Sequence, residues 1–215
     1  MEEILKKYPL LKDQNVPRET LVEFESFVNI LKKKNENINI ISKETAKDEI
    51  IRERHIVDSA QIIEFIDLNN KNAVDIGSGG GMPGIIISIM IKNQGNSTKV
   101  HLYEKSHHKS VFLRSVSRDL KLNTEIMEQN IFDVQNIETG TIMARAFKPL
   151  PIVLDLVWKN FTNYRNLILF MGKNGEKILE ETLKNWDFDF EKKKSITSED
   201  SFLLNIKNIK KKTKN

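Results

Sequence analysis

The stretch DIGSGGGMPG, residues 75–84, holds five of the chain's nine glycines. It stands between a short strand-like run at 73–76 and an apolar, helix-like run at 83–91. Glycine turns the backbone through conformations closed to other residues and lets a ligand come close to it. A strand, a glycine turn and a helix together open a βαβ unit, and ligands in sheets of such units bind beyond the C-terminal strand ends. The loop therefore constrains both the fold and the place of the site.

The alternation continues downstream. Strand-like runs at 99–103, 124–127, 141–144 and 165–171 alternate with helical patterns at 107–120, 150–161 and 175–183. This implies right-handed crossovers and a mostly parallel sheet in an α/β fold. Two more strand-like runs, 186–190 and 202–206, follow each other closely and predict an antiparallel edge pair. Upstream, residues 17–66 read as helical. Leu21, Phe24, Phe27 or Val28, and Leu31 recur at helical spacing after Pro17, residues 35–39 interrupt the pattern, and a second helix is predicted over 45–66 with Ile51, His55, Ile62, Ile63 and Ile66 near one face. The expected organisation is an N-terminal helical extension over 1–70, an α/β core over 71–207 and a loose lysine-rich tail over 208–215.

A chain of 215 residues can bury a core without staples. It has no cysteine, which excludes disulfides, thiolate zinc sites and cysteine nucleophiles. The N-terminus has no apolar signal core and no run is long enough to span a bilayer, so a cytoplasmic protein without membrane association is expected. His107 and His108 are adjacent at a helix start, without metal-ligand spacing; no metal is expected, and both are expected to be exposed. A monomer is the expected state. The net charge is +4, and lysine runs at 32–34, 192–194 and 210–212 permit nucleic-acid binding while also suiting a solvated surface.

Three ligands can be tested against the glycine loop. A Walker A loop needs Gly-Lys-Ser/Thr, and that lysine is missing. A dinucleotide fingerprint is matched formally by Gly79, Gly81 and Gly84, which leaves an NAD(P)-dependent oxidoreductase as the alternative reading. Asp75 places a carboxylate near where a pyrophosphate would sit, and Pro83 removes an N–H from the helix start that should hold it. The spacing Asp75, Gly77, Gly79, Gly81 instead resembles the first motif of class I S-adenosylmethionine-dependent methyltransferases. That cofactor is cationic and carries no phosphate, so a carboxylate suits its ammonium group. Glu104, ending the next strand, stands where such folds place an acid on the ribose hydroxyls; the competing role is a surface pair with Lys105.

Four segments together resemble one family, the bacterial 16S rRNA guanine-N7 methyltransferases, or glucose-inhibited division protein B family. They are the loop ending in Met82-Pro83-Gly84, Glu53-Arg-His-Ile-Val-Asp-Ser59, Lys109-Ser-Val-Phe-Leu-Arg114 and Ala144-Arg-Ala-Phe147 with Pro149-Leu150. The resemblance covers about residues 20–180. It implies a Rossmann-like class I fold with a seven-stranded sheet, S-adenosylmethionine as cofactor, and a guanine of 16S rRNA in the small ribosomal subunit as substrate; another RNA is the alternative substrate. It implies cofactor contacts at Gly77, Met82, Ile131, Phe132 and Arg145, beside Asp75, Gly79 and Glu104. The sequence QNIFDV around Ile131 and Phe132 departs from the family's pattern, as does Met171 where the family often has lysine; Lys173 could take that lysine's place.

Guanine N7 has a free lone pair and no proton to lose, so the implied reaction needs no general base, and no residue is assigned as catalytic. Arg145 could hold the cofactor's carboxylate or guanine O6, or pair with a core acid such as Asp75. His55 is read as an interior histidine bonded to Asp58 or to the sheet. Lys105, Lys109, Arg114, Lys148 and Lys173 are candidate RNA contacts, with Arg118 and Lys121 on the same helix, against the plainer reading of a solvated face.

Overall fold

The computed structural model describes residues 1, 3, 7, 8 and 16–213, with the side chain of Lys43 left out. The remaining residues of the expected extension, and the last two of the expected tail, lie outside the described residues.

Five strands, β1 (Asn72–Ile76), β2 (Lys99–Tyr103), β3 (Thr124–Met127), β5 (Thr141–Ala144) and β7 (Asn166–Met171), run parallel. With β8 (Trp186–Lys194) and β9 (Phe202–Lys211) they form a seven-stranded sheet in the order β3-β2-β1-β5-β7-β9-β8. The last strand inserts antiparallel between β7 and β8, so the expected edge pair is a hairpin folded back into the sheet. Both of its strands are longer than expected. In particular β9 runs to Lys211, into the segment expected to be loose, because its pairing with β8 extends from Phe202 to Lys211. A two-stranded parallel pair, β4 (Ile137–Glu138) with β6 (Phe161–Asn163), was not anticipated.

The major helices are α1 (Arg18–Asn35), α2 (Gly84–Asn93), α3 (His107–Asp119), α4 (Leu150–Asn160) and α5 (Gly175–Leu183). The predicted helix over 45–66 is instead a chain of short turns: 3₁₀ at Lys43–Thr45, α at Asp48–Ile50, π at Ile51–Val57, α at Asp58–Ala60 and 3₁₀ at Gln61–Phe65.

The packing explains why an extension is needed. Helix α2 has the sequence GIIISIMIKN and is buried from Gly84 to Ile91. A helix apolar on all sides must be covered on all sides. The sheet covers one side, and α1 covers another with Phe24, Phe27, Val28 and Leu31, all in one core cluster with Ile85–Ile91. Lys92 and Asn93 at the end of α2 both bond Glu23 of α1. On the opposite face α4 and α5 pack Leu154, Val157 and Leu179 over β5, β7 and β9. No helix among the described residues is long and apolar enough to cross a membrane.

Candidate cofactor cleft and its family

The chain reverses its direction of strand addition at β1, between β2 and β5. A cleft of about 590 Å³ opens there, at the C-terminal strand ends, as this topology dictates. The glycine loop forms one wall. Its backbone is tied to β2, because Gly77 N–H and Ser78 N–H both donate to the Tyr103 carbonyl at 2.9 and 3.0 Å.

Gly77 has φ +70°, and a Cβ there would meet Phe147 Cδ2 at 2.3 Å. The glycine therefore permits both the turn and the approach of Phe147, whose ring stacks on Phe132 with centroids 6.0 Å apart.

Glu104 is buried and pinned rather than paired with Lys105. Its Oε2 accepts from Gly79 N–H at 2.9 Å and its Oε1 from Ser106 N–H at 2.7 Å. Each oxygen keeps a second lone pair, on a side chain that lines the cleft.

Asp75 does not line the cleft. It lies beneath the loop, and its Oδ2 accepts from Gly84 N–H at 3.0 Å, holding the start of α2 against the strand. Burial pushes its pKa up to about 7 against the lowering effect of that hydrogen bond. Its Oδ1 is buried without a partner among the described residues.

Arg145 projects from the end of β5 into the π-helical turn. It donates to the Arg54 carbonyl at 2.8 Å and to His55 Nδ1 at 2.9 Å, and approaches Asp58 Oδ2 at 3.5 Å. Its acidic partner is thus Asp58, not Asp75. A π turn shifts backbone pairing away from the α pattern and is frequent at functional sites. Two of the four segments that carry the family resemblance meet here. His55 pairs with Arg145 rather than with Asp58 or the sheet; it lines the cleft with Nε2 buried and unpartnered among the described residues.

Of the sequence-predicted cofactor residues, Gly77, Gly79, Met82, Glu104, Ile131, Phe132 and Arg145 all line this cleft. Of the predicted RNA contacts, Lys105, Lys109 and Lys148 stand around it. Arg114 does not; it bonds Glu128 at 2.6 Å and lines a separate groove between α1 and α3 with Lys33, Lys34 and Arg118. Lys173 is exposed and lines neither. His108 is exposed as expected, and His107 is exposed with Nδ1 2.6 Å from Glu128. Sequence reasoning missed Ile40, Ile41 and Ser42, which close the cleft from the N-terminal segment. Asn35 Oδ1 accepts from the N–H groups of Ile40 and Ile41, a contact that no local pattern announces.

Residues 20–205 match the family model of rRNA small subunit methyltransferase G, GidB. The chain belongs to this family. Ribosomal RNA small subunit methyltransferase G of Pelagibacter ubique is 79% identical over 99% of this chain and all of its own length. The protein of the same name from Rickettsia felis is 35% identical, over 91% of this chain and 97% of its own. Among solved structures, a SAM-dependent methyltransferase from Aquifex aeolicus superposes with TM-score 0.56 at 14% identity, covering 76% of this chain and 95% of its own. The 16S rRNA methylase RmtB superposes with TM-score 0.52 at 11% identity, covering 89% and 75%. These two likenesses concern the fold alone. As a member of the rRNA small subunit methyltransferase G family the chain is a methyltransferase with the class I fold, and the oxidoreductase alternative falls away. The glycine loop that formally fits a dinucleotide belongs to a methyltransferase cleft.

Proposed function

We propose that this protein transfers the methyl group of S-adenosylmethionine to N7 of a guanine in the 16S rRNA of the small ribosomal subunit. The names of its full-length relatives support the RNA substrate. The single structural observation that supports the cofactor is the glycine-walled cleft with Glu104 fixed at its β2 edge. Glu104 keeps lone pairs for a ribose diol, and beside Gly79 a Cβ would meet only the Gly77 carbonyl, at 3.7 Å, so the loop leaves room. The acids at the loop, Glu104 on the cleft wall and Asp75 beneath it, suit a ligand without phosphate better than a pyrophosphate.

The cofactor, when bound, supplies an electrophilic methyl on a sulfonium. The guanine N7 lone pair forms the new bond to carbon, the sulfur keeps the electrons of the old one, and no proton moves. The protein's task is thus to bind both partners, align them and exclude water. Ile131, Phe132 and Phe147 provide the apolar walls. Lys105, Lys109 and Lys148 supply cations at the cleft for an RNA backbone. They form no ion pair among the described residues, whereas Lys192, Lys193 and Lys211 in the β8–β9 hairpin are paired with Glu176, Glu64 and Asp155.

Mass mapping of small-subunit rRNA from a deletion strain, with and without the gene restored, tests the substrate. The expected result is one 7-methylguanosine that disappears and returns with the gene; unchanged modification overturns it. Calorimetry with S-adenosylmethionine and with NADH tests the cofactor separately.

A further inference from the structure

Methyl transfer places a second demand on the site, since the acceptor must sit against the donor. Arg145 and Ala146 line the cofactor cleft and also a neighbouring cavity of about 450 Å³. Three further cavities, one between α1 and α3, one beside Asp67 and one around Arg52, share no lining residue with the cleft. This neighbour lies between the ends of β5 and β7, the π-helical turn and the β8–β9 turn.

We propose that this second cavity seats the target guanine, with the Arg145–Asp58 pair reading its O6 and N1–H. The inference rests on the function proposed above and names the residues that choose the base. Arg145 Nη1 is taken by the Arg54 carbonyl and by Asp58 Oδ2 at 3.5 Å, which leaves the guanidinium's Nε–H and one Nη2–H as donors on the same side chain that touches that acceptor. Guanine offers the complement, the O6 acceptor beside the N1–H donor. Adenine offers the reverse, an amino donor beside an N1 acceptor, and meets donor with donor.

The remaining bonds leave the right groups available. Asp58 Oδ1 already accepts from Gln61 Nε2 at 2.7 Å, Thr197 Oγ1 at 2.9 Å and Ser195 Oγ at 3.2 Å. Asp58 Oδ2 has only the Arg145 contact among the described residues. A guanidinium carries five N–H donors, and those of Arg145 are not all used by Arg54, His55 and Asp58. Phe170, half-buried with its ring centroid 5.9 Å from the Arg145 guanidinium, offers a face for stacking a base. Exposed Arg54 at the rim is placed for the nucleotide's phosphate. O6 and N7 share one edge of guanine, so a base whose O6 is held by Arg145 turns N7 to the boundary between the two cavities with its lone pair free.

Asp58→Asn and Phe170→Ala test the assignment. In Asp58→Asn the three donors on Oδ1 claim the amide oxygen, and the NH₂ faces guanine N1–H. Each variant is assayed for S-adenosylmethionine affinity by calorimetry, and for tritiated methyl transfer to small subunits from the deletion strain. The expected result is cofactor affinity within about threefold of the wild type. Asp58→Asn should lower kcat/KM for subunits by about 10- to 100-fold, the loss for an unpaired buried donor. Phe170→Ala should raise KM about tenfold, the loss of one stacked base. Wild-type transfer by Phe170→Ala and a folded Asp58→Asn overturns the proposal, as does loss of cofactor affinity in step with transfer, which makes the cavity part of the cofactor site. If Asp58→Asn fails to fold, Phe170→Ala decides. No transfer by the wild type itself sinks the substrate reading, and this inference with it.

Discussion

Arg145 Nη2 and His55 Nδ1 stand 2.9 Å apart across ninety residues of sequence. The contact fastens the π-helical turn of the N-terminal segment to the end of β5, and it requires an imidazole without a proton on Nδ1. Burial, then the charge of Arg145, then that of Arg54, push His55 down to about 4. The folded value is below the unfolded value of about 6.5. Between the two, the unfolded chain binds the extra proton, so the stabilisation is complete above about pH 6.5 and is lost as pH falls toward 4. An NMR titration should find the His55 ring still neutral at about pH 5.5, and His55→Asn should remove part of the loss of thermal stability below pH 6.5. A ring that titrates near 6.5 contradicts this buried pairing.

Gly77→Ala faces two separate penalties. The backbone has φ +70°, and the new methyl would stand 2.3 Å from Phe147 Cδ2. The first costs about 1–2 kcal/mol for an L-residue. The second must push Phe147 away from Phe132 and deform the cleft. The expected outcome is a loss of about 1–3 kcal/mol in denaturant unfolding together with at least about tenfold weaker S-adenosylmethionine binding. Adding Phe147→Ala should recover stability only in part, because the ring is removed and the φ is not. Full recovery would show that the clash alone matters.

Phe27 is fully buried between α1 and the apolar helix α2. Truncating such a ring to alanine costs about 3–5 kcal/mol. Because Phe27 and α2 share one core cluster, the loss should appear as a lower midpoint in a single transition, followed by both circular dichroism and cofactor binding. Two separate transitions would instead mark residues 1–70 as a domain of their own.

Much of this fold was legible because its parallel strands are short apolar runs and its helices carry regular apolar faces. The cleft was legible because glycines concentrate where the sheet changes direction, at Gly77 and Gly79, with an acid at the next strand end, Glu104. What stayed hidden was decided by distant partners. The 45–66 segment reads as one helix by spacing, yet it breaks into short turns, and its π turn offers the Arg54 carbonyl and His55 to Arg145. The run Asn208–Lys211 reads as tail because most of its side chains are solvated; it is strand because β8 pairs along it. Asp75 reads as a ligand-facing acid, but a close helix–strand approach at Gly84 turns it into a support beneath the loop. Lysines look alike in sequence, and only the structure separates paired Lys192 and Lys193 from Lys105 and Lys109 at the cleft.

Glu104→Gln separates shape from charge at the β2 end of the cleft. The wild-type carboxylate accepts from Gly79 N–H at 2.9 Å through one oxygen and from Ser106 N–H at 2.7 Å through the other. Glutamine has nearly the same outline but only one acceptor, so its NH₂ must face one of those N–H groups. Leaving a buried donor unpaired costs about 1–3 kcal/mol. The glycine loop is the weaker of the two anchors, since Ser106 is held in place by the start of α3. The expected outcome is therefore a Gly79 that turns away from the β2 end. S-adenosylmethionine affinity should fall about 5- to 150-fold by calorimetry, with thermal stability nearly unchanged once ligand is absent. Glu104→Asp keeps both acceptors but shortens their reach, and it should bind the cofactor better than Glu104→Gln if charge matters more than length. The opposite order would mean that Glu104 acts by spacing the loop from the strand rather than by accepting hydrogen bonds.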